Sequence, residues 1–142
     1  MTRGIGFLCL AMFFATFTGC DSGPNRPTVK PAEGIFLMKG KPYAGVTLLF
    51  HLSDSAMKDV PKPRAKTEAD GSYKLTTYAA YDGAMPGEYQ VTAVIETAGS
   101  ILGSKGPKPP GIPAIYQDIK STTLTATVGS AEQNTIKPID IP

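Results

Sequence analysis

From residue 34 to residue 141 the chain consists of short apolar alternations cut by turn residues, and no stretch places its apolar side chains at helical spacing. Val46, Leu48, Phe50 and Leu52 fall on one face of one segment. Tyr89, Val91, Ala93 and Ile95 fall on one face of another, with Gln90, Thr92 and Glu96 opposite them and Val94 breaking the pattern. Residues 124–128 repeat the alternation, with Thr123, Thr125 and Thr127 on the polar side. Segments of this kind are half-buried strands. The 15 Gly and 13 Pro supply the reversals between them. Asp70-Gly71 favours a tight turn because Gly accepts the positive φ that such a turn needs, so residues 64–67 and 72–77 are predicted to pair as a hairpin. Residues 34–38 form a first strand, residues 39–42 a turn, and residues 83–87 a further reversal. Residues 135–141 close the chain, and Pro138 places that last strand at an edge or a bulge. About seven short strands and two longer loops predict an all-β chain folded as a two-sheet β-sandwich.

A length of 142 residues is enough for one compact domain. Fourteen Lys+Arg against twelve Asp+Glu leave a net charge of +2, with no basic surplus to neutralise a phosphate backbone, so no nucleic-acid partner is expected. With one His and two Cys, a zinc or haem site lacks ligands and a disulfide framework lacks pairs. No metal and no cofactor are expected.

The first twenty residues carry an address. Arg3 is followed by an uncharged apolar run over residues 5–17. As a helix that run spans only ~20 Å, short of the ~30 Å hydrocarbon core, so a signal peptide fits better than a permanent membrane span. Phe17-Thr18-Gly19-Cys20 resembles the lipobox of bacterial lipoproteins, with Phe17 where that family usually has Leu. The resemblance implies a diacylglyceryl thioether on Cys20, cleavage before it, and acylation of the new amine. The organisation that follows is a signal peptide over residues 1–19, a lipidated Cys20 with a Pro-rich tether over residues 20–32, and a β-sandwich over residues 33–142. Read as an extended stalk at ~3.1 Å per residue, residues 21–31 reach ~34 Å from the lipid. The expected partner is the membrane, through acyl chains on Cys20, and the expected place is the extracytoplasmic side of the bacterial cell envelope.

Three further segments, Gly40-Lys41-Pro42-Tyr43-Ala44-Gly45-Val46-Thr47, Thr67-Glu68-Ala69-Asp70-Gly71-Ser72-Tyr73-Lys74-Leu75 and Pro86-Gly87-Glu88-Tyr89-Gln90-Val91, resemble the carboxypeptidase-regulatory-like (transthyretin-like) domain. Ile112-Pro113-Ala114-Ile115-Tyr116 followed by residues 122–128 is similar to small bacterial lipoproteins of this type. The resemblance covers residues 33–141 and implies a Greek-key sandwich. Its motifs are those of turns and cores, so they imply a fold and no activity.

The residues with chemical potential are few. His51, opposite Phe50 and Leu52 on its strand, is the only imidazole, and no nucleophile pattern accompanies it, so no triad is expected. Transthyretin-like hydrolases end in a Tyr-Arg-Gly-Ser tail, whereas this chain ends in Ile139-Asp140-Ile141-Pro142. Gly71-Ser72-Tyr73-Lys74-Leu75-Thr76-Thr77 followed by Pro86-Gly87-Glu88-Tyr89 is similar to the signature of adhesin domains that join Lys to Asn, but Thr77 stands at the acid position, so condensation onto Asn134 is not expected. Asp70 and Asp82 each precede a Gly, which reads as turn chemistry before calcium ligation. Tyr73, Tyr78, Tyr81, Tyr89 and Tyr116 are the rings available to a sugar-stacking platform, although strand tyrosines usually border a core. The long Gly- and Pro-rich stretch over residues 97–115 carries Lys105 and Lys108. Lys105, Lys108, Tyr81 and Tyr116 are the candidate partner-contacting residues. The expected function is a non-catalytic, lipid-anchored envelope module with a structural or interaction role. The alternative is a carbohydrate- or peptide-binding accessory domain of an envelope enzyme system.

Overall fold

A computed structural model of the chain describes residues 26–54, 60–95 and 111–142. Among these residues nine strands appear in the order β1 (Ala32–Met38), β2 (Lys41–Pro42), β3 (Val46–Leu52), β4 (Arg64–Lys66), β5 (Ser72–Lys74), β6 (Gly87–Ile95), β7 (Thr125–Val128), β8 (Asn134–Thr135) and β9 (Ile139–Ile141). A 3-10 turn, Ala114–Tyr116, precedes β7. The strands form two sheets, and the molecule is an all-β sandwich.

One sheet is antiparallel, in the order β4-β3-β6-β7. Its spine is the β3–β6 ladder, which runs from Val46 opposite Ile95 to Leu52 opposite Tyr89. The other sheet is built around β1. Glu33 has Lys74 of β5 on one side and Thr135 of β8 on the other, and Leu37 has Pro42 of β2 and Asp140 of β9. Because β8 and β9 run parallel to β1, the end of the chain lies alongside its first strand. The expected closing strand is thus two short ones, and Pro138, which has no N–H to give a ladder, sits in the gap between them.

Alternation fixes the core. Val46, Leu48 and Phe50 from β3 and Val91 and Ala93 from β6 are fully buried, and they meet Phe36, Leu75 and Ile141 from the other sheet. Each of these side chains larger than Ala stabilises the fold by ~1.5–3 kcal/mol relative to exposure. Phe50 joins the layers, with ring centroids 6.1 Å from Tyr73 and 5.9 Å from Tyr89. Thr92 departs from the expected pattern. It faces away from this core yet is buried, because His51 on the adjacent strand lies over it with Nε2 3.1 Å from Thr92 Oγ1.

The expected hairpin over residues 64–77 is made at both ends but opens in the middle. Gly71 adopts φ 75° in the turn, Glu68 N–H donates to Ser72, and Arg64 and Thr76 exchange both backbone bonds. Between those closures the strands part, since β4 is committed to β3 in one sheet and β5 to β1 in the other. The hairpin is a seam between the layers.

Part of the predicted tether also belongs to the sandwich. Lys30 and Ala84 exchange two backbone bonds, Asn134 N–H donates to the Pro31 carbonyl, and Arg26 stacks 5.4 Å above the Tyr78 ring. Residues 1–25, with Cys20 among them, lie outside the described residues.

Candidate functional site

The seam between β4 and β5 is the most distinctive concavity. Its register is that of an ordinary hairpin, with Arg64 opposite Thr76 and Glu68 opposite Ser72, which sets Lys66 opposite Lys74. Alternation decides where the backbone groups point. Leu48 bonds to Ala65 on β3's side of β4, and Leu75 donates to Ala32 on β1's side of β5, so the N–H and C=O of Lys66 and Lys74 face the seam. Among the described residues no backbone hydrogen bond joins these two.

A groove of about 580 Å³ lies over this opening. Arg64, Lys66, Lys74, Thr47, Thr76, Ser72 and Glu68 line it, with the buried Ala65 and Tyr73 behind them and Tyr81 on its margin. Three cations and one carboxylate make it electropositive.

Tyr81 is 65% exposed and has φ 61°, a left-handed conformation that a bulky residue adopts only when its surroundings impose it. The restraint is visible in the loop that carries it. One Asp82 carboxylate oxygen accepts the Thr77 N–H at 2.7 Å, and the other accepts those of Tyr78 and Ala79 at 2.9 Å. The Tyr81 N–H itself donates to Thr76 Oγ1 at 3.0 Å. Burial raises the Asp82 pKa, but the three N–H donors outweigh it and hold the carboxyl below its ordinary value. Asp82 therefore acts as a loop clasp. Asp70 likewise accepts the Ser72 N–H within its turn. Among the described residues no group of three or more His, Cys, Asp or Glu is placed to hold a metal ion.

The tyrosines divide by environment. Tyr73 and Tyr89 are core residues, 1% and 2% exposed, so they are corrected from the set of rings available to stack on a sugar. Tyr78 is covered by Arg26. Tyr116 is half-buried in the 3-10 turn and packs against the core. Tyr81 lines the seam groove and Tyr116 does not. Lys105 and Lys108 lie outside the described residues.

A second concavity, of about 380 Å³, adjoins the other end of β3, where Phe50, Leu52, Val60, Pro61, Met85 and Tyr89 give it an apolar lining with His51 and Lys62 at its margin. Burial lowers the pKa of His51, and the Lys62 charge lowers it further. Its imidazole is half-buried and engaged with Thr92 Oγ1. Asn134 gives its amide N–H groups to the carbonyls of Ala131 and Pro31, while the Lys30 ammonium pairs with Glu132 at 2.7 Å.

Sequence reasoning picked out Tyr81 by residue type but missed its companions. Arg64, Lys66 and Lys74 read as the solvent side of two strands, and only the divergence of those strands into different sheets makes them one surface. Comparisons of the chain with family models, with curated proteins and with solved structures find no match.

Proposed function

We propose that this chain is a non-catalytic, lipid-anchored module of the bacterial cell envelope, a sandwich of the carboxypeptidase-regulatory-like type held to its membrane by acyl chains on Cys20. The observation that carries the reading is the succession Arg3, an apolar run over residues 5–17, and Gly19-Cys20 directly before a Pro-rich segment that leads into the first strand. Two or three acyl chains, at ~0.8 kcal/mol per buried methylene, give lasting attachment where one gives marginal attachment. Docking of Arg26 on Tyr78 leaves six residue steps between Cys20 and the sandwich, a reach of at most ~22 Å. On this reading the domain stands nearer the bilayer than a fully free stalk would hold it. Growth with a labelled fatty acid tests the anchor: label enters the wild-type chain and is absent from Cys20→Ala. Label that persists in Cys20→Ala, or no label in either, removes it.

A second reading, recognition of a carbohydrate or peptide as an accessory to an envelope enzyme, is favoured by the exposed Tyr81 ring beside a polar groove. Screening against a glycan array separates the two roles, because binding that Tyr81→Ala abolishes supports recognition.

A further inference from the structure

We propose that the seam groove binds an anionic oligosaccharide, with one sugar ring stacked on Tyr81 and its carboxylates held by Arg64, Lys66 and Lys74. The inference deepens the recognition reading above and rests on it. Four features of one surface support it. The groove is about 580 Å³, within the ~300–1,000 Å³ of ordinary small-ligand sites and room for a few pyranose rings. Its charged lining is Arg64, Lys66 and Lys74 against Glu68 alone, and the planar guanidinium suits a carboxylate in two-point contact. The facing N–H and C=O groups of Lys66 and Lys74 add two donors and two acceptors for sugar hydroxyls beneath those side chains. The Tyr81 ring is exposed, and its backbone is fixed in a left-handed conformation by Thr76 and the Asp82 clasp, so little order is lost on binding.

The same geometry disfavours other anions. An acidic peptide adding as a strand needs a run of unpaired backbone along an edge. Here one residue on each strand is unpaired, and the closed pairs Arg64–Thr76 and Glu68–Ser72 bracket it. A lipid surface is met by a projecting cluster, whereas these cations line a concavity beside Tyr81.

The sequence contains no Trp, so Tyr81→Trp in the full chain, solubilised in detergent, is a unique fluorescent reporter of the groove. Titration with a short oligomer of a uronic acid is expected to give a saturable emission change. Affinity falls about tenfold in Lys66→Gln or Lys74→Gln and falls with added salt. Near-ultraviolet circular dichroism matching that of the parent shows that the variants fold. No response to the uronate oligomer overturns the proposal, as does an equal response to a neutral oligosaccharide of the same length. A stronger response to polyglutamate or to phosphatidylglycerol vesicles overturns it in favour of those ligands. Fatty-acid labelling is scored separately and array binding without charge preference is visible on its own, so failure of this proposal is distinguishable from failure of either reading above.

Discussion

The carbonyl oxygen of Lys30 occupies the space that a Cβ on Gly83 would need, with Pro31 Cα close behind it, and Gly83 itself has φ 94°. Both facts require glycine: one by sterics, the other because a side chain is strained in that conformation. The contact lets Lys30 and Ala84 exchange their backbone bonds, and it ties the segment before β1 to the loop that carries Tyr81. Gly83→Ala is expected to lose at least ~2 kcal/mol in chemical denaturation, from overpacking and strain together. It should also raise protease sensitivity before Ala32. An unchanged midpoint with an unchanged cleavage pattern would show that this contact does not hold the segment.

Two core tyrosines give opposite expectations for the same substitution. The Tyr73 hydroxyl is buried over Gly34, 2.5 Å from where a Cβ would stand, and has no hydrogen-bond partner, while the Tyr89 hydroxyl donates to the Met85 carbonyl at 2.7 Å. Tyr73→Phe removes an unpaired polar group and is expected to stabilise by ~1 kcal/mol; Tyr89→Phe breaks a bond and is expected to destabilise by a similar amount. Denaturant midpoints of the two variants, moving in opposite directions, check this.

The Tyr81 conformation predicts a trade between stability and recognition. Tyr81→Gly removes the left-handed strain and is expected to raise stability by up to ~1 kcal/mol while abolishing binding in the groove. A loss of stability would mean that the ring packs more than its exposure of 65% indicates.

Acid stability should fall in two stages. The folded-state pKa of His51 lies below its ordinary 6.5, so its contribution is present above that value and is lost as pH falls toward the folded pKa, because the unfolded chain takes up the proton first. Asp82, lowered from 3.8, contributes above that value and loses its contribution as pH falls through its own folded pKa. Denaturation midpoints measured across pH are expected to lose the upper stage in His51→Gln and to show a smaller lower stage in Asp82→Asn, because Asp70 and Glu132, held below their ordinary values by Ser72 and Lys30, retain part of it. Identical acid profiles in all three proteins would contradict both assignments.

The strands were legible where alternation was strict. Val46, Leu48 and Phe50 are buried as their spacing required, and residues 125–128 bury Ala126 and Val128 while exposing Thr125 and Thr127. The Asp70-Gly71 turn was legible because its chemistry is local. What escaped was non-local. Pairing of β8 and β9 with β1 brings together residues about a hundred positions apart, and no periodicity encodes such a partner. The split of β4 from β5 escaped for the same reason, since a hairpin signal does not say that each strand will find a different sheet. Thr92 was assigned outward correctly, but its burial depends on His51 across the ladder. The groove follows from these tertiary choices, so its three cations carried no signal along the chain.

The central claim, attachment through Cys20, is tested most directly by the intact mass of the protein purified from membranes. The account predicts a chain beginning at residue 20 whose mass exceeds that of residues 20–142 by a diacylglyceryl group and one further acyl chain, with the excess located on the N-terminal peptide. A chain that begins elsewhere, or a residue 20 thiol that reacts freely with an alkylating reagent, would contradict it.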